Sequence, residues 1–462
     1  MVKGWSRIAY PVIAFIAGCD GAPRPLRPSA VEAAYPVRSD WLVVSAPKAT
    51  PTHWYAPGSP PLFALDRPND ALIGDDAMLL PELQTRAILN TKKFPHLEVE
   101  PRPFFQTGLD ALFGTPAEPR VGMSAAVLEQ SIAAKEADLS AAQAAQKEER
   151  ESDLKALQAR RPDVAAQEAI VAELGLDTGT LQKGGTLFRD YCQQCHGATG
   201  DGNGPGGRFL LPLPRDYRSG LFKFITTQPN PQGVKPRRAD LYRTIANGLD
   251  GSAMPAFSAL KSDEIEALVS YVIHLTIRGE CEFQVMKVAA DKQKAEDFLP
   301  ANAEADLFEQ LKRLLPVWQR SNGTPADIPD DPNTTADDRM KAAVRGHRVF
   351  LDATQGGCTA CHADYGRGAL LRFDEWGGIT RPRNLTVATV RVSRRPDDLY
   401  YRIYCGIPGV GMPSHADALK VTDADREQNR NRIWDVVHFV RTIGDPMKRR
   451  ELRLSYGVAI DR

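Results

Sequence analysis

Apolar residues recur at helical spacing in several separate stretches of the chain. Leu128, Ile132 and Leu139, then Leu154 and Leu157, lie among Ala, Glu, Gln and Lys between Ser124 and Arg161, a composition that favours helix. Pro162 cannot continue that helix, so another is expected from Asp163 to Leu174. The seam is too short and Ala-rich for sustained heptads, which makes this a packing or spacer helix rather than a coiled coil. Phe283 to Trp318 is a further charged helical stretch, and the acidic, Pro-rich TPADIPDDPNTTADD after it reads as a linker. Two more apolar helices fall at ALVSYVIHL (Ala267 to Leu275) and DVVHFVRTI (Asp435 to Ile443). From Cys19 to about Val121 no period is sustained, and stretches such as HWYAPGSPPLF and EVEPRPFF predict an extended arm lying along other surfaces.

The last two helices belong to an internal repeat. LYRTIANGLDGSAMPAF (Leu241 to Phe257) and LYYRIYCGIPGVGMPSH (Leu399 to His415) align without a gap, pairing Gly248 with Gly406 and Met254-Pro255 with Met412-Pro413. Upstream, Gly184 and Phe188 are spaced as Gly346 and Phe350 are, and downstream Tyr271 aligns with Phe439. A small residue on one helix lets a crossing helix approach and place its aromatic ring. The second unit has a longer gap between Phe350 and Cys358 and a longer polar segment, DALKVTDADREQNRN, after its methionine. Both insertions are surface loops by default.

These readings give a mainly α chain: a signal over 1–18, a Pro-rich arm over 19–123, a helical spacer over 124–178, a first repeat unit over 179–283, a helical linker and loop over 284–336, a second unit over 337–450 and a tail over 451–462. With 58 Lys plus Arg against 58 Asp plus Glu there is no net field to draw nucleic acid, which is not an expected partner. Lys3 and Arg7 precede an apolar run, Ile8 to Ala17, that is too short to span a bilayer and reads as an export signal. It closes on Ile16-Ala17-Gly18-Cys19, which resembles the lipobox of bacterial lipoproteins. The resemblance implies lipidation of Cys19, with several acyl chains giving durable attachment to the membrane. Asp20 resembles a signal for retention at the inner membrane.

Each unit contains Cys-x-x-Cys-His: Cys192, Cys195 and His196 in CQQCH, and Cys358, Cys361 and His362 in CTACH. Two thiols at this spacing on one helical turn can each add to a vinyl group of a haem, leaving the adjacent histidine to reach the iron. A methionine held among glycines, as Met254 and Met412 are, fills no core and can approach the iron from the opposite face; His415 is a rival to Met412. The other reading, one four-cysteine zinc site, is disfavoured by export, the two adjacent histidines and the two Met-Pro loops. His274 and His438, on the last helix of each unit, read as ordinary helix residues, and His53 and His96 in the arm show no ligand spacing.

Together the motifs and the helical frame resemble the class I cytochrome c family, and the resemblance covers both units. It implies two tandem cytochrome c domains in which first and last helices cross above the haem, with two covalently bound haem c groups in all. It also implies that a proline carbonyl near PRDY (Pro214, Arg215) and PRNL (Pro382, Arg383) accepts the Nδ1 proton of the axial histidine, and that the two arginines meet haem propionates. The expected function is single-electron transfer in a membrane-associated respiratory chain, on the periplasmic side of the cytoplasmic membrane. A quinol-oxidising complex and a terminal oxidase or reductase are the expected redox partners, and no catalytic residue is expected. A dihaem peroxidase is the alternative, in which one iron lacks its second ligand; an N-terminal scaffold with accessory haems is a third reading. Of the seven cysteines, Cys281 and Cys405 then remain, and separate thiols are favoured over a bridge between them.

Overall fold

The computed structural model describes residues 34–36, 102–210, 212–291, 300–323, 325–368, 372–373, 379–380, 382–387, 391, 393 and 395–460. The signal, Cys19, His53, His96 and nearly all of the arm lie outside the described residues. Among these residues the regular secondary structure is almost wholly helical. The main helices are α1 (Arg102–Phe113), α2 (Ala125–Ser140), α3 (Lys147–Gln158), α4 (Arg161–Glu173), α5 (Thr178–Tyr191), α6 (Arg238–Asn247), α7 (Ser262–Asp291), α8 (Pro300–Gly323), α9 (Ala336–Leu351), α10 (Pro396–Tyr404), α11 (Arg432–Ile443) and α12 (Pro446–Tyr456). Two short antiparallel strands, β1 (Arg372–Phe373) and β2 (Ile379–Thr380), pair Arg372 with Thr380. Among the described residues no helix is long and apolar enough to cross a membrane.

Local chemistry starts several helices where the sequence places them. The Ser124 hydroxyl accepts the Val127 N–H at 3.2 Å to cap α2, and Pro162 sits in the first turn of α4, where its missing N–H costs nothing. Thr335 and Asp338 form a reciprocal capping box at α9. The helix expected from Ser124 to Arg161 is instead two, α2 and α3, which pack on each other. Folding back brings Leu154 and Leu157 against the same core that buries Leu128 and Ile132.

Spacer, linker and arm are less separate than their sequences imply. α7 runs through the expected boundary at residue 283 to Asp291, and α8 packs back against both α7 and α1. Leu307, Phe308, Leu311, Leu315 and Trp318 of α8 share one core with Phe188 and Leu268 of the first unit. The end of the arm is helix α1 rather than extended chain, and Leu109, Leu112 and Phe113 are fully buried in that core. Even Tyr35, far upstream, is fully buried, its hydroxyl 2.8 Å from that of Tyr271. Lys235 and Glu280 form an ion pair in this interior, and the indole N–H of Trp318 also donates to Glu280 at 3.4 Å.

Two helix crossings organise what remains. α5 crosses α7, and α9 crosses α11. A methyl group on Gly184 would overlap the carbonyl oxygen of Ala267; one on Gly346 would overlap that of Asp435, the residue aligned with Ala267 in the repeat. Beside the crossings, the rings of Phe188 and Tyr271 lie 5.3 Å apart, and those of Phe350 and Phe439 5.1 Å apart. The units meet where α10 faces α6 and the segment before it. Arg243 pairs with Asp398 at 2.5 Å, Gln228 donates to the Tyr404 hydroxyl at 2.8 Å, and Ile225, Ala326 and Cys405 cluster between them. The acidic linker is anchored too: Trp434 donates to the Pro329 carbonyl at 2.9 Å.

Gly346→Ala is expected to destabilise the second unit by about 1–3 kcal/mol, as overpacking of a close contact does. Chemical denaturation followed by tryptophan fluorescence measures it, and a loss below a few tenths of a kcal/mol would show that the helices separate without cost.

Candidate haem sites

The first site begins where α5 ends. Cys192 caps it, and a single helical turn, Gln193–His196, carries Cys195 and His196 onto one wall of a cleft. The His196 Nδ1 lies 3.2 Å from the Arg215 carbonyl oxygen and donates to it, leaving Nε2 free to bind a metal. The ring stacks on Tyr217, centroids 4.8 Å apart. Burial holds its pKa down at about 4, so the imidazole is neutral, the form a metal requires.

Met254 reaches the cleft from a loop that follows α6. Gly248 turns the chain with φ 67°, a left-handed conformation that favours glycine, and a methyl group there would collide with the backbone at Pro255. The loop is closed by Leu249 N–H donating to the Met254 carbonyl at 3.1 Å and Phe257 N–H donating to Ile245 at 3.1 Å. Between these walls lies a cleft of about 1330 Å³, counting the part open to solvent, with Tyr217, Leu268 and Val272 among its apolar lining.

The second unit repeats these bonds at equivalent positions. His362 Nδ1 lies 3.1 Å from the Arg383 carbonyl oxygen, and burial lowers its pKa as well. Gly406 has φ 73°. Ile407 N–H donates to the Met412 carbonyl at 2.9 Å, and His415 N–H to Ile403 at 3.0 Å. Met412 is half-buried and packs against the core that holds Tyr400 and Trp434, beside Leu385. His415 thus stands where Phe257 stands in the first unit, and Phe257 lines the first cleft.

Several expectations are adjusted by this geometry. In both units the histidine bonds the carbonyl of the arginine, Arg215 or Arg383, and not that of Pro214 or Pro382 one residue earlier. A backbone carbonyl is present at every residue, so sequence alone does not say which one turns inward. His274 and His438 are buried structural residues. Nε2 of His274 lies 3.3 Å from the Tyr35 hydroxyl and that of His438 2.8 Å from Asp331. They are not equivalent positions: the repeat aligns His274 with Thr442 and His438 with Ser270. Among the described residues no three His, Cys, Asp or Glu side chains converge as a metal site, so the four-cysteine zinc grouping does not form. The stacking of Tyr217 on His196 was not anticipated, although an aromatic beside the PRD segment is its only sequence signal.

Comparison with known proteins now adds the class. Residues 179–272 match the family model described as cytochrome c oxidase, cbb3-type, subunit III. That segment is a cytochrome c domain, which implies covalently bound haem c and a role in electron transfer. The donor set fits such a group: two thiols and a neutral, oriented imidazole face a thioether across an apolar cleft. Among solved structures, a chain of the Kuenenia stuttgartiensis reducing HAO-like protein complex is similar at 22% identity and a TM-score of 0.40, over 57% of this chain and 96% of that one. No curated protein matches.

Cys281 and Cys405 are unpaired and buried, in separate clusters. Burial pushes the Cys405 thiol up to about 12 and raises that of Cys281 well above the usual thiol range, so neither supplies thiolate near neutrality. An alkylating reagent is therefore expected to leave both unmodified in the native chain and to label both after denaturation without reductant. Absence of label at these two positions in the denatured, unreduced chain would establish a disulfide.

Proposed function

We propose that the chain is a dihaem c-type cytochrome that passes single electrons at the periplasmic face of the cytoplasmic membrane. The observation that carries this reading is the repetition of one bonding pattern at equivalent positions. In each unit a Cys-x-x-Cys-His histidine is held through Nδ1 by an arginine carbonyl, and a Met-Pro loop is closed by the same two backbone bonds. Haem c, when bound, supplies a one-electron iron couple, and a thioether ligand raises its reduction potential.

Each part of the chain has a distinct task in this reading. Cys192 and Cys195 attach the first haem, with His196 and Met254 as axial ligands. Cys358 and Cys361 attach the second, with His362 and Met412. With both axial positions filled by the protein, neither site presents an open coordination position to a substrate, which favours electron transfer over the peroxidase alternative. Lipid on Cys19 anchors the chain, and its redox partners are a quinol-oxidising complex and a terminal oxidase or reductase. The Arg243–Asp398 ion pair and the apolar cluster of Ile225, Ala326 and Cys405 hold the two units against each other.

Expression with a haem-ligation system should give two haems per chain, read by pyridine haemochrome and intact mass; fewer than two defeats the proposal. Met254→Ala and Met412→Ala should each lower the potential of one haem and weaken the near-infrared sulfur-to-iron band. If Met412→Ala changed neither, His415 would be the ligand. Cys19→Ser should release the chain from the membrane fraction, and continued retention would exclude lipid anchoring.

A further inference from the structure

One residue of the first cleft does not come from the first unit. Arg391 lines it together with Cys192, His196 and Met254, yet it lies in the second unit between the PRNL segment and α10. Its Nε is buried and has no hydrogen-bond partner among the described residues. Burial, and then the nearby Arg383 guanidinium, both disfavour its charge. A second arginine shows the same deficit close by. Arg402 of α10 lies over the ring of Phe224, another lining residue of the cleft, at 5.4 Å, and its Nη2 is likewise buried and unpartnered. Nη1 of Arg402 donates to the Ser393 carbonyl at 3.0 Å, so that side chain is held in place rather than free to swing into solvent.

Buried guanidinium nitrogens without acceptors cost free energy that an anion would recover. The bland account is that Arg391 simply packs against the first unit, but packing alone leaves a desolvated donor beside a second cation. Arg215 and Lys223 also line the cleft, and each already has an interaction within the chain. What the Arg391 Nε lacks is an acceptor, and a carboxylate is the acceptor that a guanidinium binds most strongly. Haem carries two such carboxylates. We propose that Arg391 of the second unit pairs with a propionate of the haem attached to Cys192 and Cys195, so that the first haem site is not self-contained and the second unit completes it.

This inference rests on the haem reading above and adds a direction to the coupling between sites. Arg383 holds His362 through its carbonyl, and a few residues further along the same segment Arg391 enters the other cleft. Arg383, which holds the histidine of the second site, and Arg391, which lines the first cleft, are thus only eight residues apart in sequence. A cation beside a haem disfavours its more positive oxidised form, so Arg391 raises the potential of the first haem.

The test uses the full chain matured with both haems, with haem content measured separately by intact mass. Potentiometric titration resolves the haems, and the wave that moves in Met254→Ala identifies the first. Arg391→Gln is expected to retain two haems and to shift the first wave downward while the second moves less. Arg391→Lys, which keeps the charge but not the two-bond geometry, should restore most of that shift. Two haems with the first wave unmoved in both variants, or a shift confined to the second wave, overturns the assignment while leaving the haem reading intact. If Arg391→Gln does not retain two haems, the haem that is lost decides: loss of the one at Cys192 and Cys195, restored by Arg391→Lys, supports the pairing, and loss of the one at Cys358 and Cys361 overturns it.

Discussion

Two helices can bring their backbones into contact only where no side chain stands between them. Gly184 and Gly346 supply that condition, each lying against a carbonyl of the crossing helix. The close approach sets how α5 and α9 lie against their partners; α5 runs directly into its Cys-x-x-Cys-His turn, and α9 reaches its own through the loop from Asp352 to Gly357. It also seats Tyr271 and Phe439 against Phe188 and Phe350, so that the roof of each site is rigid before any cofactor is considered. The histidine bonds, the glycine-turned methionine loops and the apolar lining are all built outward from that frame.

The first site is more heavily supported than the second. α7 extends well past the crossing, and α1, α4 and α8 pack around it into one core that also buries Tyr35. The second unit is held by the smaller set α9 to α12, with the linker pinned to Trp434 and His438. Length in α7 thus ties the N-terminal helices to a haem site from which they are distant in sequence, and loosening one would loosen the other.

What could be read from sequence follows from where the information is stored. Cysteine thioether chemistry and iron ligation demand particular side chains at short spacing, so Cys192, Cys195, His196 and their counterparts announce themselves. The glycine and aromatic pairs do so because the repeat shows them twice. Domain limits were harder: Leu154, Leu307 and Trp318 look like the faces of spacer helices until the core that receives them is known. The acceptor of the histidine proton is a backbone atom, invisible in residue identity, which is why the expectation falls on the carbonyl of Pro214 and the bond goes to that of Arg215. Arg391 was illegible for a different reason, since its site is in another unit.

The contact between α6 and α10 is not a symmetric one, although the helices are copies. Asp240 and Asp398 occupy the same repeat position, yet Asp240 accepts the N–H and hydroxyl of Thr226 at 2.9 and 2.7 Å within its own unit, while Asp398 reaches across to Arg243. The position reciprocal to Arg243 is Tyr401, which cannot return the ion pair. Neither half can therefore reproduce this interface by pairing with itself. The covalent link between them acts as a very high effective concentration, making permanent a heterologous association of modest size. Duplication within one gene, rather than assembly of two identical chains, is what allows the halves to differ while remaining in fixed register.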